Sequence, residues 1–150
     1  MRTAIGCDHA GVALKNELIP VIEELDIEWE DFGTKDELSV DYPDFGEKVS
    51  EAVSKGRIER GILICGTGIG MSIVANKFPG VRAALCCQDY SAKMSRLHND
   101  ANILVLPGRV IDAKTAKEIV KIWFTTEFEG GRHQKRLDKI TAIEERLRTR

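Results

Sequence analysis

The fold follows from residues 61–72, which read Gly-Ile-Leu-Ile-Cys-Gly-Thr-Gly-Ile-Gly-Met-Ser. An apolar run of strand length, 61–65, ends at Cys65, and a helix is predicted over 70–77. Between them glycines alternate at 66, 68 and 70, where they permit positive φ and a close approach of the backbone to a ligand. The free N–H groups of a helix start face an anion. The stretch therefore predicts a strand, a ligand-facing loop and a helix, although a tight turn without function has the same pattern.

Strands and helices alternate on both sides of this stretch. Strands are predicted over 3–7, 27–32, 61–65, 81–86 and 102–106. Helices are predicted over 14–25, 44–54, 70–77, 91–99 and 113–125, with a last amphipathic helix at about 133–148. Pro20 should kink the first helix or remove a hydrogen bond from it. This alternation predicts an α/β, Rossmann-like three-layer fold, in which a five-stranded parallel sheet carries helices on both faces.

Composition limits the class of protein. The 150 residues are 43% apolar and 31% charged, which fits one domain over residues 1–150 and excludes a disordered or fibrous chain. The longest uncharged run, 61–76, is shorter than the ~20 residues that cross a bilayer, so no membrane association is expected. No signal peptide is visible, and a cytoplasmic location is expected.

Charge is unevenly distributed along the chain, although the net charge is only −2. Residues 17–59 are strongly acidic, whereas residues 132–150 are basic. No nucleic-acid partner is expected, because a high pI and basic residues interleaved with aromatic ones are both missing. The basic segment could instead meet a small anion or an acidic surface of a partner subunit.

Several polar residues are predicted to lie at one edge of the sheet. In parallel α/β sheets ligands bind beyond the carboxyl ends of the strands, which is where Cys65, Asp8, His9 and residues 86–89 fall. A thiol beside a helix N-terminus gains thiolate character at neutral pH, which makes Cys65 a candidate for chemistry; the alternative is a small buried apolar residue. Asp8 and His9 could bind a hydroxyl and a phosphate, or cap the following helix.

The other cysteines, Cys7, Cys86 and Cys87, are expected to be free thiols, because a cytosolic chain of this size needs no disulfides. Cys7 and Cys86 are interpreted as packing residues. A thiolate metal site built from Cys7, Cys65, Cys86 and His9 is an alternative, but no zinc-ligand spacing supports it. Neither a metal nor another cofactor is therefore expected.

Two further groups carry nitrogen donors. His98 closes the predicted fourth helix, where a histidine can simply complement the helix dipole. Arg132 and Arg136 are four residues apart and share a helical face. Two converging guanidinium groups suit a phosphate, and a solvated basic face is the alternative.

These motifs occur together in one order along the chain. They are Gly6-Cys7-Asp8-His9, Asp41-Tyr42-Pro43, the loop from Cys65 to Gly70, His98-Asn99-Asp100, Gly108-Arg109-Val110, and Gly130-Gly131-Arg132-His133 through Arg136. In this order and spacing, over essentially the whole chain, the sequence resembles ribose-5-phosphate isomerase type B. That family belongs to a wider group that includes galactose-6-phosphate isomerase subunits. The resemblance implies an aldose–ketose isomerase that interconverts ribose 5-phosphate and ribulose 5-phosphate through a cis-enediolate.

The resemblance also implies roles for the site residues. Cys65 would move a proton between C2 and C1 of the open-chain sugar. His98 would protonate the ring oxygen during ring opening, and Asp8 would receive the anomeric hydroxyl proton. Met71 stands where another branch has a glutamate base, which places this chain in the cysteine branch. The oxyanion would be held by Gly66, Thr67, Gly68, Ile69, Gly70 and Asn99, and the phosphate by His9, Arg109, Arg132 and Arg136.

The resemblance further implies a homodimer or homotetramer with active sites at the subunit interface. The C-terminal helix, about 133–148, would make subunit contacts, and His98, Asn99 and Arg109 would reach the site from the neighbouring subunit. Two alternatives remain. One is the same isomerisation of galactose 6-phosphate, allose 6-phosphate or a tetrose phosphate. The other is a non-catalytic module that binds a phosphorylated metabolite, which would not need Cys65 and His98 together.

Overall fold

The computed structural model describes residues 1–149; Arg150, the last residue of the predicted domain, lies outside the described residues. Within this part of the chain, five parallel strands form a sheet in the order β2-β1-β3-β5-β4. The strands are β1 (Arg2–Cys7), β2 (Glu28–Asp31), β3 (Arg60–Cys65), β4 (Ala83–Leu85) and β5 (Ile103–Pro107). The predicted five-stranded parallel sheet is confirmed.

Helices connect the strands and cover both faces of the sheet. They are α1 (Val12–Glu24), α2 (Tyr42–Ser54), α3 (Ile69–Ala75), α4 (Asp89–Leu97), α5 (Ala113–Thr125) and α6 (Arg132–Arg148). A short 3₁₀ turn, His9–Gly11, precedes α1. Helix α1 continues through Pro20, which lies on its exposed side together with Asn16. The Asn16 carbonyl, which loses its helical donor at Pro20, is on the side where water can replace that hydrogen bond.

Alternate residues of the central strand β3 face two separate cores. Ile62 and Ile64 pack in the core beneath α1 and α5, which also contains Trp123. Leu63 and Cys65 belong to the opposite core, beneath α2 and α3. Residues 62–64 are fully buried, as expected for a strand covered on both faces. The predicted three-layer arrangement is thus present.

The edge strand β4 is shorter than the predicted 81–86. At its beginning, the Arg82 N–H donates to the side-chain oxygen of Asn102 (2.8 Å), and the Arg82 carbonyl accepts from the Asn102 N–H (3.0 Å). Asn102 precedes β5, so Arg82 is paired with a loop residue. Since an edge strand has a partner on one side only, its ladder is limited to the residues that β5 can pair.

Strand order defines where a ligand can enter. The chain runs from β1 to β2 on one side, and then crosses to β3 on the other side of β1. At such a switch point the two connections diverge and leave a crevice beyond the carboxyl ends of the strands. Asp8 follows β1 directly, and Gly66 follows β3. No helix within residues 1–149 is long and apolar enough to cross a bilayer.

Candidate active site

Backbone hydrogen bonds join the ends of β1, β3 and β5. The Asp8 N–H donates to the carbonyl of Ile64 at 3.2 Å. The N–H of Gly108 donates to the carbonyl of Cys65 at 2.8 Å, and that of Arg109 to the carbonyl of Gly66 at 3.0 Å. These bonds extend the parallel ladder past the strands. Three predicted site segments are therefore held against one another at the carboxyl edge of the sheet.

The glycine loop is confined on both sides. Gly68 has φ of +75°, which favours glycine, and an added Cβ would overlap Cδ1 of Leu85. An added Cβ on Gly70 would lie 2.5–2.8 Å from the ring and hydroxyl of Tyr42. Close packing thus favours glycine at both positions, and at Gly68 the backbone conformation favours it as well.

Several donors of the loop are free to bind a ligand. Among the described residues, the backbone N–H groups of Gly66, Thr67 and Gly68 have no protein acceptor, while the N–H of Ile69 donates to Oγ1 of Thr67 at 3.3 Å. Oriented N–H groups without an internal acceptor are what an oxyanion requires. The loop can therefore stabilise negative charge next to Cys65.

Cys65 is the last residue of β3 and is 5% exposed. Its side chain belongs to the apolar core that includes Met71 and Val105, so within one chain Cys65 is almost completely covered. A cavity of about 590 Å³ lies elsewhere, between the starts of α4 and α5, and Cys87, Gln88, Asp89, Tyr90, Asp112, Lys114, Thr115 and Glu118 line it. Cys65 does not line this cavity.

Asp8 and His9 lie beside the loop with one polar atom each already engaged. Oδ1 of Asp8 accepts the N–H of Ala10 at 3.0 Å, which caps the 3₁₀ turn. Nδ1 of His9 accepts the N–H of Val40 at 3.1 Å. The Val40 bond places the proton of a neutral His9 on Nε2, which is left free to donate to an anion. Capping and ligand binding are therefore compatible here.

Arg109 supplies positive charge to the same edge. An ideal Cβ on Gly66 would lie 3.4 Å from Cδ and 3.6 Å from a guanidinium nitrogen of Arg109. The resemblance implied that Arg109 reaches the site from a neighbouring subunit. In the structure its side chain lies against the glycine loop of its own chain.

A second group of predicted site residues lies at the opposite edge. His98 caps the end of α4, five residues before β5 begins. Its ring stacks on that of His133, with centroids 4.1 Å apart and planes 12° apart. Arg132 and Arg136 flank His133 on α6, and both lower the pKa of His133, after burial and His98. Asn99 follows His98, so the structure brings Asn99, Arg132 and Arg136 to His98 and not to Cys65.

Comparisons with known proteins identify the family to which the chain belongs. The sequence profile described as Ribose/Galactose Isomerase matches residues 3–140. The chain belongs to the ribose/galactose isomerase family. It is an aldose–ketose isomerase of sugar phosphates.

Individual members of the family resemble the chain over almost its full length. It is 48% identical to ribose-5-phosphate isomerase B of Escherichia coli K12, over 97% of each chain. The structure of ribose-5-phosphate isomerase B from Clostridium thermocellum superimposes with a TM-score of 0.95 and 53% identity, covering 98% of this chain and 99% of that one. D-erythrulose-4-phosphate isomerase of Pectobacterium atrosepticum is 41% identical over 91% of each chain.

Two other cysteines, Cys7 and Cys86, lie in the packed interior of the chain. Cys7 is fully buried, and burial raises the pKa of its thiol to about 11. Burial also raises the pKa of Cys86. Within residues 1–149, Cys7, Cys65, Cys86 and His9 do not form a cluster with metal-ligand spacing. The alternative of a thiolate metal site at these residues therefore has no geometric support.

Two residues without a predicted role lie against the predicted site residues. Tyr42 covers Gly70, and its side chain is at the start of α2. His133 stacks on His98. The sequence feature that could have indicated them is their place in the family motifs, because Tyr42 lies in Asp41-Tyr42-Pro43 and His133 follows Gly131-Arg132. Their partners are 28 and 35 residues away in sequence, and no local periodicity reports such contacts.

Proposed function

We propose that this isomerase interconverts ribose 5-phosphate and ribulose 5-phosphate through a cis-enediolate, with the Cys65 thiolate as base. The observation that carries the proposal is the position of Cys65 at the end of β3, next to a loop in which the N–H groups of Gly66, Thr67 and Gly68 have no protein acceptor within residues 1–149. Relatives named ribose-5-phosphate isomerase B, from Escherichia coli and Clostridium thermocellum, support the choice of sugar.

Proton transfer needs a base near the carbon and donors near the oxygen. The thiolate removes the proton from C2 of the open-chain aldose, and negative charge develops on the carbonyl oxygen. The N–H groups of residues 66–70, with Thr67 and Asn99, hold that oxygen. Within the cis-enediolate the proton of the C2 hydroxyl passes to O1, and the negative charge moves to O2. The protonated thiol then returns its proton to C1 while the C2 carbonyl forms, which gives the ketose. The reaction neither adds nor removes hydrogen overall, although the proton on the thiol can exchange with solvent before it is returned, and hydrogen-bond donors carry the negative charge.

Ring opening requires an acid and a base on opposite sides of the anomeric carbon. In the proposal His98 gives a proton to the ring oxygen. Asp8 takes the proton of the anomeric hydroxyl through the carboxylate oxygen that does not cap Ala10. The cyclic sugar is thereby converted into the open-chain aldehyde that Cys65 needs.

The phosphate anchors the far end of the sugar. His9, through its free Nε2, and Arg109 lie at the edge of the loop. Arg132 and Arg136 would complete the phosphate site with forked N–H donors. Binding energy from a group that does not react positions the carbon that does.

The two groups of residues lie at opposite ends of β5. Strand β5 has five residues, so the distance between its two ends is about 13 Å at the rise of a strand. His98 precedes the beginning of β5 and the Cys65 loop borders its end, whereas proton transfer needs contact of about 3 Å. We therefore propose that a second copy supplies His98, Asn99, Arg132 and Arg136 to the Cys65 loop of the first.

Helix α6 supports subunit contact through its outer face. Ile140, Ile143 and Leu147 are between 47% and 54% exposed, and they share one side of the helix. Burying such a stripe against a second copy stabilises a dimer by removing apolar area from water. The proposed assembly is a homodimer or homotetramer with two-chain active sites.

The test is turnover of purified protein on a panel of sugar phosphates, in ordinary and heavy water. The proposal predicts that ribose 5-phosphate has the highest kcat/KM and that deuterium from D₂O enters the carbon next to the carbonyl group. A protein that binds the sugar phosphate without exchanging that hydrogen would be a binding module. Absence of ribose 5-phosphate turnover would refute the choice of sugar.

A second candidate substrate is a tetrose phosphate. The relative from Pectobacterium atrosepticum is named D-erythrulose-4-phosphate isomerase and is 41% identical to this chain. The chemistry at Cys65 is the same for both sugars, and only the distance from C2 to the phosphate differs. A higher kcat/KM for D-erythrulose 4-phosphate than for ribulose 5-phosphate would favour this second candidate.

A further inference from the structure

His98, Glu129 and His133 form a cluster of potential metal ligands. Each offers one ligand atom, and these atoms all lie within 4.8 Å of one another. The cluster is built by three elements: His98 ends α4, His133 is in the first turn of α6, and Glu129 is in the segment between α5 and α6. The N–H of Glu129 donates to the carbonyl of Leu97 at 3.1 Å, which fixes that segment next to His98.

One nitrogen in this cluster has no partner. His133 is 3% exposed, and its Nε2 is buried without a hydrogen-bond partner in the part of the chain that the structure describes. The nearest carboxylate oxygen, Oε1 of Glu129, is 3.8 Å away, which is too far for a hydrogen bond. A buried polar atom without a partner opposes folding. A ligand that binds between His98 and Glu129 and accepts the lone pair of His133 Nε2 would give this atom a partner.

The lone pair of His133 Nε2 is available to bind a metal. Nε2 of His133 has no hydrogen-bond partner among residues 1–149, so its lone pair is not used within the chain when the proton is on Nδ1. Neutral imidazole is the form that binds a metal. The stack holds the two rings nearly parallel, so their in-plane lone pairs do not converge. The half-buried ring of His98 must therefore rotate out of the stack before both imidazoles can bind one ion.

We propose that His98, Glu129 and His133 bind a divalent transition metal, of which Zn²⁺ is the best match. Two imidazole nitrogens and one carboxylate oxygen, with a fourth position open to water, are a typical zinc ligand set. Mg²⁺ and Ca²⁺ are poorer matches, because they favour six or more oxygen ligands. Arg132 and Arg136 are close enough to repel a cation, so the site binds the metal reversibly.

Metal binding has a consequence for activity that rests on the proposed function. A nitrogen of His98 that is bound to Zn²⁺ cannot protonate the ring oxygen of the sugar. The metal is therefore an inhibitor of ring opening and not a cofactor. Inhibition should be strongest with cyclic substrate and weakest when the reaction starts from the open-chain ketose.

Direct titration tests the site without relying on turnover. Full-length, metal-free protein is titrated with Zn²⁺ in a calorimeter and with Co²⁺ in a spectrophotometer, since the visible bands of Co²⁺ report its ligand geometry. Wild type should bind one ion per chain. Glu129→Gln, at an exposed residue outside the proposed catalytic set, should weaken binding by roughly tenfold or more, and His133→Asn should do the same.

Cys87→Ala is the matched control, because Cys87 is the exposed free thiol that could bind zinc by itself. It should bind Zn²⁺ as the wild type does. Equal affinity in wild type and Glu129→Gln, or loss of binding in Cys87→Ala, would overturn the site.

Isomerase assays then test the consequence: Zn²⁺ should inhibit the wild type, and Glu129→Gln should keep the basal rate and resist inhibition. Binding without inhibition would overturn the role of the metal but leave the site, and a protein without isomerase activity would still be judged by the titration.

Discussion

The stacked rings of His98 and His133, 4.1 Å apart, connect the end of α4 to the start of α6. Because Arg132 and Arg136 flank His133, the stack holds His98 next to the two arginines. Cys65 is at the other edge of the same sheet. The proposed active site therefore depends on how two chains meet.

A complementation experiment tests this two-chain site. Cys65→Ala and His98→Asn are each expected to be inactive as purified homo-oligomers. Mixed by denaturation and refolding, they should regain activity, because one site of each mixed dimer contains the intact Cys65 of one chain and the intact His98 of the other. The measurement is ribose 5-phosphate turnover of the mixture. If catalysis needed only one chain, the mixture would be as inactive as its parents.

Cys65→Ser tests the base. Serine retains the shape of cysteine but is a far weaker acid, so kcat should fall by about 10²–10⁴-fold while KM changes little. Turnover and D₂O exchange should fall together. The control is Cys86→Ala, which removes a buried thiol from the packing of α4 and should keep kcat near the wild-type value. Near-normal turnover of Cys65→Ser would exclude Cys65 as the base.

Gly68→Ala tests the shape of the glycine loop. Alanine at φ of +75° is strained by about 1–2 kcal/mol, and its Cβ would also overlap Leu85. Gly80→Ala is the matched control, because Gly80 has φ of +74° and nothing lies within 4 Å of its added Cβ. Chemical denaturation should show a larger loss of unfolding free energy for Gly68→Ala, and only Gly68→Ala should lose activity. Equal losses in the two variants would show that the overlap with Leu85 is relieved at no cost.

The sequence predicted the carboxyl edge of the sheet well, because its signals are local. An apolar run followed by glycines marks where β3 ends, and Asp8 and His9 follow a strand in the same way. The opposite edge had no such signal. The stack of His98 on His133 forms only when α6 returns to the end of α4, and helical periodicity does not report which element a helix packs against.

Side-chain directions were also beyond the sequence. Arg109 was expected to reach a neighbouring chain, yet it lies over Gly66 of its own chain, because the β5 loop bonds directly to the β3 loop. Likewise, nothing local indicated that Tyr42 covers Gly70. The Arg109 contact follows from strand order, in which β5 and not β4 is next to β3. The Tyr42 contact follows from the packing of α2 and α3 on the same face of the sheet.

The Cys7 thiol predicts a decline in stability at alkaline pH. Burial raises its pKa from 9.0 to about 11; Asp31 and Asp8 add to the effect, and Lys15 opposes it. Between these values the unfolded chain loses the thiol proton and the folded chain keeps it, so the folded state binds more protons. The contribution of Cys7 is fully present below pH 9 and is lost as the pH rises toward about 11, with a slope of at most about 1.4 kcal/mol per pH unit.

The measurement is the free energy of unfolding in urea from pH 8 to pH 11, for wild type and Cys7→Ala. Lysine and tyrosine titrate in the same range, so the test is the difference in slope between the two proteins. Cys7→Ala should be less stable at pH 8, because it leaves a small cavity, but it should lose stability less steeply as the pH rises. Cys87→Ala, which removes an exposed thiol, should keep the wild-type slope. Parallel curves for wild type and Cys7→Ala would mean that Cys7 ionises as easily in the folded chain as in the unfolded one, which its complete burial opposes.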